Sequence, residues 1–145
     1  MSQSQGEAQR NLQPSPLPEG VEVGKVKLTI DKVVDNPLLR RKEVYATIYH
    51  VGVSTPSRLQ VRDELAKALG AQADLVYVIH VYTQYGIGIS KVEAHVYEDK
   101  KVAEIVEPLY VRLRNMPRDE AKKIREEIRS RRRAAKKPAA KAKAG

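Results

Sequence analysis

Residues 75 to 97 read LVYVIHVYTQYGIGISKVEAHVY, and this stretch decides the fold class. From Leu75 to Gln84, Val, Ile and Tyr occupy both alternating sets of positions, the composition of a β-strand covered on both faces. Such a strand is expected at a central position in its sheet. Ile89 to Tyr97 alternates instead, with Val92, Ala94 and Val96 on one side, the period-two mark of a strand with one buried face. Between the two, Tyr85-Gly86-Ile87-Gly88 supplies two residues that accept positive φ, as a strand-to-strand turn requires. A phosphate-cradling role for these glycines lacks its context, because nucleotide loops lead from a strand into a helix and here a strand follows.

Working outward, Val26, Leu28 and Ile30 alternate with Lys25, Lys27, Thr29 and Asp31, which predicts a first strand ending near Asp35. Glu43 to Val51 alternates again, with Val44, Ala46 and Ile48 on one side and Tyr45, Thr47 and Tyr49 on the other. Asn36-Pro37 is a turn signal, so the two strands form a hairpin with a wide loop, Asn36 to Lys42. Thr55-Pro56-Ser57 predicts a helix start, with Thr55 as the cap and Pro56 at the first helical position, where its missing amide proton costs nothing. Val61, Leu65, Ala68 and Leu69 make one apolar face, and Gly70 ends the helix in a left-handed conformation. Lys101 to Val106 reads as a short helical turn. The order strand, strand, helix, strand, strand predicts an α+β fold, a helix packed on an antiparallel-rich sheet in a single small domain over residues 21 to 111.

The flanks differ in kind. Residues 1 to 20 have little to bury and carry Pro14, Pro16 and Pro18, so a disordered arm is expected. Residues 112 to 145 carry 14 Lys or Arg against 4 Asp or Glu, leaving 13 against 14 for residues 1 to 111, so the excess of +9 resides wholly in the carboxyl end. Pro117 reads as the start of a helix whose amino end holds Asp119 and Glu120 and whose carboxyl end holds Arg129 to Arg133, in keeping with the helix dipole. Ala121, Ile124 and Ile128 form an apolar stripe too narrow to dock firmly. AAKKPAAKAKAG, residues 134 to 145, is low-complexity sequence expected to be disordered, so residues 112 to 145 form a basic helical and disordered extension.

Composition narrows the function classes. About 90 residues remain for a packed domain, enough for one modest core. The chain has no Cys, which excludes disulfides, cysteine zinc sites and thiol nucleophiles. No apolar run approaches the roughly 20 residues needed to cross a bilayer, and no signal peptide opens the chain. A soluble cytoplasmic protein without a membrane partner is expected. His50, His80 and His95 are not at ligand spacing from one another, and the pairs Asp63-Glu64 and Glu98-Asp99 are adjacent, so their side chains diverge. No catalytic constellation can be assembled; an enzyme built on His80 or His95 is the weakest class.

Nucleic acid is the leading partner, because a polybasic segment gains free energy by releasing counterions condensed on phosphates. The candidate phosphate contacts are Arg40, Arg41 and Lys42 in the hairpin loop, Arg58, Arg62 and Lys67 on the helix, and Arg112, Arg114, Arg118, Arg125, Arg129, Arg131, Arg132, Arg133, Lys136 and Lys137 in the extension. Tyr45 and Tyr49 share one face of the second strand and are placed either to stack bases, as on other RNA-binding sheets, or to carry a second layer. The first option describes a free-standing single-strand RNA-binding module or regulator.

Specific strings go further. Asn36 to Glu43 (NPLLRRKE), Thr55-Pro56-Ser57-Arg58 with Val61 to Lys67 (VRDELAK), Tyr85-Gly86-Ile87-Gly88 and Ala94-His95-Val96-Tyr97 resemble, in order and spacing, the small-subunit ribosomal protein numbered twenty-four in the series shared by archaea and eukaryotes. The resemblance covers about residues 25 to 116. It implies an α+β fold, a non-catalytic role in binding and stabilising small-subunit rRNA beside neighbouring ribosomal proteins, and neither a cofactor nor a small-molecule substrate.

Overall fold

A computed structural model describes residues 19 to 142, with side chains through residue 136. The expected arm thus lies almost wholly outside the described residues. The elements are β1 (Lys27–Asn36), β2 (Arg41–Tyr49), α1 (Arg58–Leu69), a 3-10 turn (Ala73–Leu75), β3 (Val76–Gln84), β4 (Ile89–Tyr97), α2 (Lys100–Val106), α3 (Leu109–Arg114) and α4 (Arg118–Ala142). All strand pairs are antiparallel, in the order β1-β2-β4-β3, so the predicted α+β class and element order hold.

One side of the sheet carries the main core. Val44, Ala46 and Ile48 of β2, Val92 and Ala94 of β4, and Val76 and Val78 of β3 meet Val61, Leu65 and Ala66 of α1. Full burial of each Val, Leu or Ile contributes about 1.5–3 kcal/mol, which makes this interface the main source of stability. Ala66, not the exposed Ala68, completes the helix face. The cap is Ser57 rather than Thr55: its Oγ accepts the Gln60 amide while the Gln60 side chain accepts the Ser57 amide, a reciprocal box that leaves Pro56 outside the helix. Gly70 closes α1 at φ 63°, as the sequence predicts.

β3 is an edge strand, not a central one. Its two-sided burial has another cause. Val76 and Val78 face α1, while Tyr77 on the reverse side enters a second core with Tyr97, Ala103 and Val111, roofed by α2 and α3. Helices cover both faces of its first half, and nothing in its composition distinguishes that from lateral burial between strands. The first hairpin is also tighter than predicted. Asn36 pairs with Arg41, and the Leu39 amide donates to Asn36 Oδ1. Only Pro37 to Arg40 form the loop, with Arg40 in the left-handed region at φ 47°, and Arg41 and Lys42 lie on β2.

On the exposed edge of β3, the amide and carbonyl of Val78 are both met by one side chain. Asn115, just past α3, is 3 % exposed. Its Oδ1 accepts the Val78 amide at 2.9 Å, and its Nδ2 donates to the carbonyls of Val78 at 3.1 Å and Val111 at 2.9 Å. Its own carbonyl accepts Arg62 of α1 at 2.8 Å. Val111 and Leu113 are buried with it, so the fold continues past residue 111. Ala121, 5 % exposed, docks the first turns of α4, Ile124 and Ile128 are half-buried, and the helix continues to Ala142 through the segment expected to be disordered.

Asn115→Ala should cost about 3 kcal/mol, because it leaves the amide and carbonyl of Val78 without partners, whereas the Val111 carbonyl keeps the backbone amide of residue 115. Urea unfolding followed by circular dichroism measures this; a destabilisation under about 1 kcal/mol would mean that α3 is held by apolar contacts alone.

Candidate nucleic-acid interface

Four predicted phosphate contacts converge. Arg58 at the start of α1, Arg114 at the end of α3, and Arg118 and Arg125 of α4 line one shallow groove with Leu59, Leu113 and Met116, and no carboxylate lines it. The groove exists because Asn115 and Ala121 fix the turn between α3 and α4 beside the start of α1. The Nε of Arg58 is buried without a hydrogen-bond acceptor. Arg114 lays its guanidinium over the Tyr110 ring, 5.2 Å from the centroid, which holds its plane in place.

Arg125 continues into a second groove with Arg129, Arg132, Arg133 and Lys136, backed by Leu109 and Ile128, again without a carboxylate. Arg118, Lys122, Arg125, Arg129, Arg132 and Lys136 follow one another at steps of three or four residues along α4, and Arg133 stands four after Arg129. At 3.6 residues per turn they fall within an arc of about 100°. Asp119, Glu120, Glu126 and Glu127 fall outside that arc. Lys122 joins the stripe without having been among the candidates, although the spacing that unites the stripe is sufficient to find it. Arg131, off the stripe, is paired with Glu127 at 2.6 Å.

The other predicted contacts separate from this surface. Arg41 is engaged within the fold: it donates from Nη2 to Glu43 Oε1 at 2.7 Å and from Nη1 to the Tyr97 hydroxyl at 3.0 Å, with Glu107 Oε1 at 3.7 Å. Glu107 Oε1 also accepts His95 Nδ1 and the Tyr97 hydroxyl, each at 2.6 Å. Burial raises the Glu107 pKa, but hydrogen bonds from His95 and Tyr97 and the nearby charge of Arg41 outweigh it and hold the carboxyl below its ordinary value. Glu43 is likewise lowered, chiefly by its bond from Arg41. Burial and the bond to Glu107 push the Tyr97 phenol up to about 12. Arg62 donates to the Asn115 carbonyl and to Asp63, so it also serves the fold. Lys67 is exposed beside Glu64, Lys42 is exposed across from Asp35, and Arg40 is exposed at the hairpin tip. Arg112 is half-buried with its Nε unpartnered, and the side chain of Lys137 lies outside the described residues.

Tyr45 is exposed on the sheet face away from α1, between Lys32 and Glu93 of the neighbouring strands, whereas Tyr49 is half-buried. His50 is buried, its ring nitrogens bonded to the Val53 carbonyl and the Ser90 hydroxyl. Among the described residues no group of three His, Asp or Glu side chains could hold a metal ion, and no helix is long and apolar enough to cross a membrane.

The sequence pattern of ribosomal protein S24e matches residues 26 to 116. A small ribosomal subunit protein eS24 from Pyrobaculum arsenaticum is 42 % identical over 100 residues, covering 69 % of this chain and 82 % of that protein. The protein of the same name from Pyrobaculum aerophilum is 42 % identical over 92 residues, 63 % of this chain and 75 % of its own length. That of Saccharolobus solfataricus is 38 % identical over 87 residues, 60 % and 72 % respectively.

The Glu107 cluster gives stability a defined acid limb. With its folded pKa below the unfolded value, Glu107 stabilises the fold above the ordinary carboxylate range, and that contribution disappears as pH falls through the lower, folded value. Urea midpoints measured between about pH 5 and about pH 3 should fall steeply for the wild-type chain and less so for Glu107→Gln; identical profiles would assign the acid-sensitive step to another group.

Proposed function

The chain belongs to the ribosomal protein S24e family, and from that premise we propose that it is a non-catalytic structural component of the small ribosomal subunit that grips folded rRNA through phosphate contacts made by α4 and the arginine groove at its base. Its site of action is then the ribosome, in the cytoplasm, and its partners are rRNA and the proteins beside it.

The observation that carries this reading is the sorting of cations. Arg41 and Arg62, half-hidden and bonded to internal acceptors, are removed from the binding set. Arg58, Arg114, Arg118 and Arg125 instead meet in a groove without carboxylates, and the α4 stripe extends from it. Arginine suits this task because its planar fork bonds two phosphate oxygens at once and it keeps its charge in any accessible pH range. A rigid helix with cations on one face meets a row of phosphates without the ordering cost of a flexible tail. Contacts of this kind fix position and read RNA shape rather than base sequence. Arg40, Lys42 and Lys67, exposed and apart from the groove, serve as outlying contacts.

The test is electrostatic. Replacing Arg125, Arg129, Arg132 and Arg133 with Gln in the full chain should reduce the slope of log affinity against log salt, for fragments of small-subunit rRNA, by about three, since each phosphate left without its cation removes roughly 0.7–0.9 from it. The companion variant Arg41→Gln should leave the slope unchanged while lowering stability. An unchanged slope for the fourfold variant would reject α4 as the phosphate-binding element.

A further inference from the structure

Tyr110 of α3 holds a position that the phosphate contacts leave unused. It is 58 % exposed, although Val111 and Leu113 on the same short helix are buried in the domain. Arg114, one turn on, lays its guanidinium 5.2 Å from the ring centroid. That contact joins the ring to the arginine groove, because Arg114 itself lines the groove with Arg58, Arg118 and Arg125. The preceding residue, Leu109, backs the second groove, where Arg125, Arg129 and Arg132 stand. Tyr110 is thus tied by a direct contact to one cationic groove and by its chain neighbour to the other, and neither groove is lined by a carboxylate.

We infer that Tyr110 is a base-stacking residue, which takes the face of an unpaired nucleobase of small-subunit rRNA while arginines of the two grooves hold phosphates of the same strand. The inference rests on the proposed grip of α4 on rRNA and adds to it a contact that carries no charge. A single exposed tyrosine is ordinary on a protein surface. This one differs in its surroundings: a cationic groove that tracks a backbone, with an aromatic ring beside it, is the combination by which single-stranded segments are held. In folded RNA such segments are the loops and bulges whose bases are free of pairing. A guanidinium covers one face of a ring at most, and the exposure of Tyr110 leaves the remainder to a ligand. The same contact restrains the ring, so less side-chain freedom is lost when a base lands on it. A protein partner would have to supply a carboxylate for each of these cations, whereas a nucleic-acid strand supplies a phosphate at every nucleotide. Because every base presents a π-face, the contact selects an unpaired nucleotide and not a sequence.

The experiment uses small subunits purified from cells that produce the full chain. The wild-type chain is first located in the small-subunit peak of a gradient; its absence there would overturn the proposed function together with this inference, before any adduct is sought. Short-wavelength ultraviolet light joins an aromatic side chain to a base stacked on it, so irradiation followed by nuclease and protease digestion should yield a nucleotide adduct on Tyr110, detected by mass spectrometry. No adduct at Tyr110, or a link from Tyr110 to another protein, would overturn the inference and leave the phosphate contacts standing. The second readout is binding by the full chain to the tightest-bound of a set of fragments that together cover the small-subunit rRNA. Tyr110→Ala should weaken affinity about tenfold without changing the slope of log affinity against log salt, and Tyr110→Phe should bind as the wild type does, since stacking needs the ring and not the hydroxyl. Affinity unchanged by Tyr110→Ala would overturn the inference. So would a loss accompanied by a lower slope, which would mean that the ring serves only to hold Arg114.

Discussion

The carboxamide of Asn115 is the contact on which the placement of the chain beyond α3 depends. An edge strand exposes amide and carbonyl groups that want a partner, and on β3 the pair belonging to Val78 is met by a side chain instead of a further strand. The same residue ties back to Val111 and, through its own carbonyl, to Arg62 on α1. One short side chain thereby links the edge strand, α1 and the end of α3. Because α4 starts three residues later, the clamp also sets the direction in which the long helix leaves the domain, and with it the register of Arg118 and Arg125 against Arg58 and Arg114.

Elements whose cause is local were legible in the sequence, and those whose cause is distant were not. The alternation in β1, β2 and β4 and the left-handed Gly70 follow from backbone and side-chain rules that act within a few residues. The edge position of β3 does not, because Val76, Tyr77 and Val78 read alike whether strands or helices cover them. Asn115 gave no signal either, since an asparagine near a proline reads as a turn residue. The choice of Ser57 over Thr55 as cap turned on Gln60 standing three residues on, a pattern that was present to be read.

The candidate interface was legible as a region and not as a set of residues. Charge is visible in a sequence, but its availability is not: Arg40, Arg41 and Lys42 are adjacent, and only the middle one faces Glu43, Tyr97 and Glu107. Strand alternation explains this afterwards, because Arg41 shares a face with Glu43 while Lys42 points to the other. An arginine committed this way cannot be moved to a phosphate cheaply, since it would leave two carboxylates and a phenol in a largely dry cluster. The periodic stripe on α4 is the reverse case, in which spacing alone groups the cations on one helix face.

Two parts of the molecule thus differ in charge. The helical end is cationic, and the attraction of any such surface to a polyanion weakens with added salt. The β3–β4 turn carries no charge, while Glu22, Lys25 and Lys27 stand at the same end of the sheet. Charge is unevenly divided along the chain: residues 83 to 90 carry none, and the stripe from Arg118 to Lys136 contains seven cations that fall on one face of α4 because of their spacing alone.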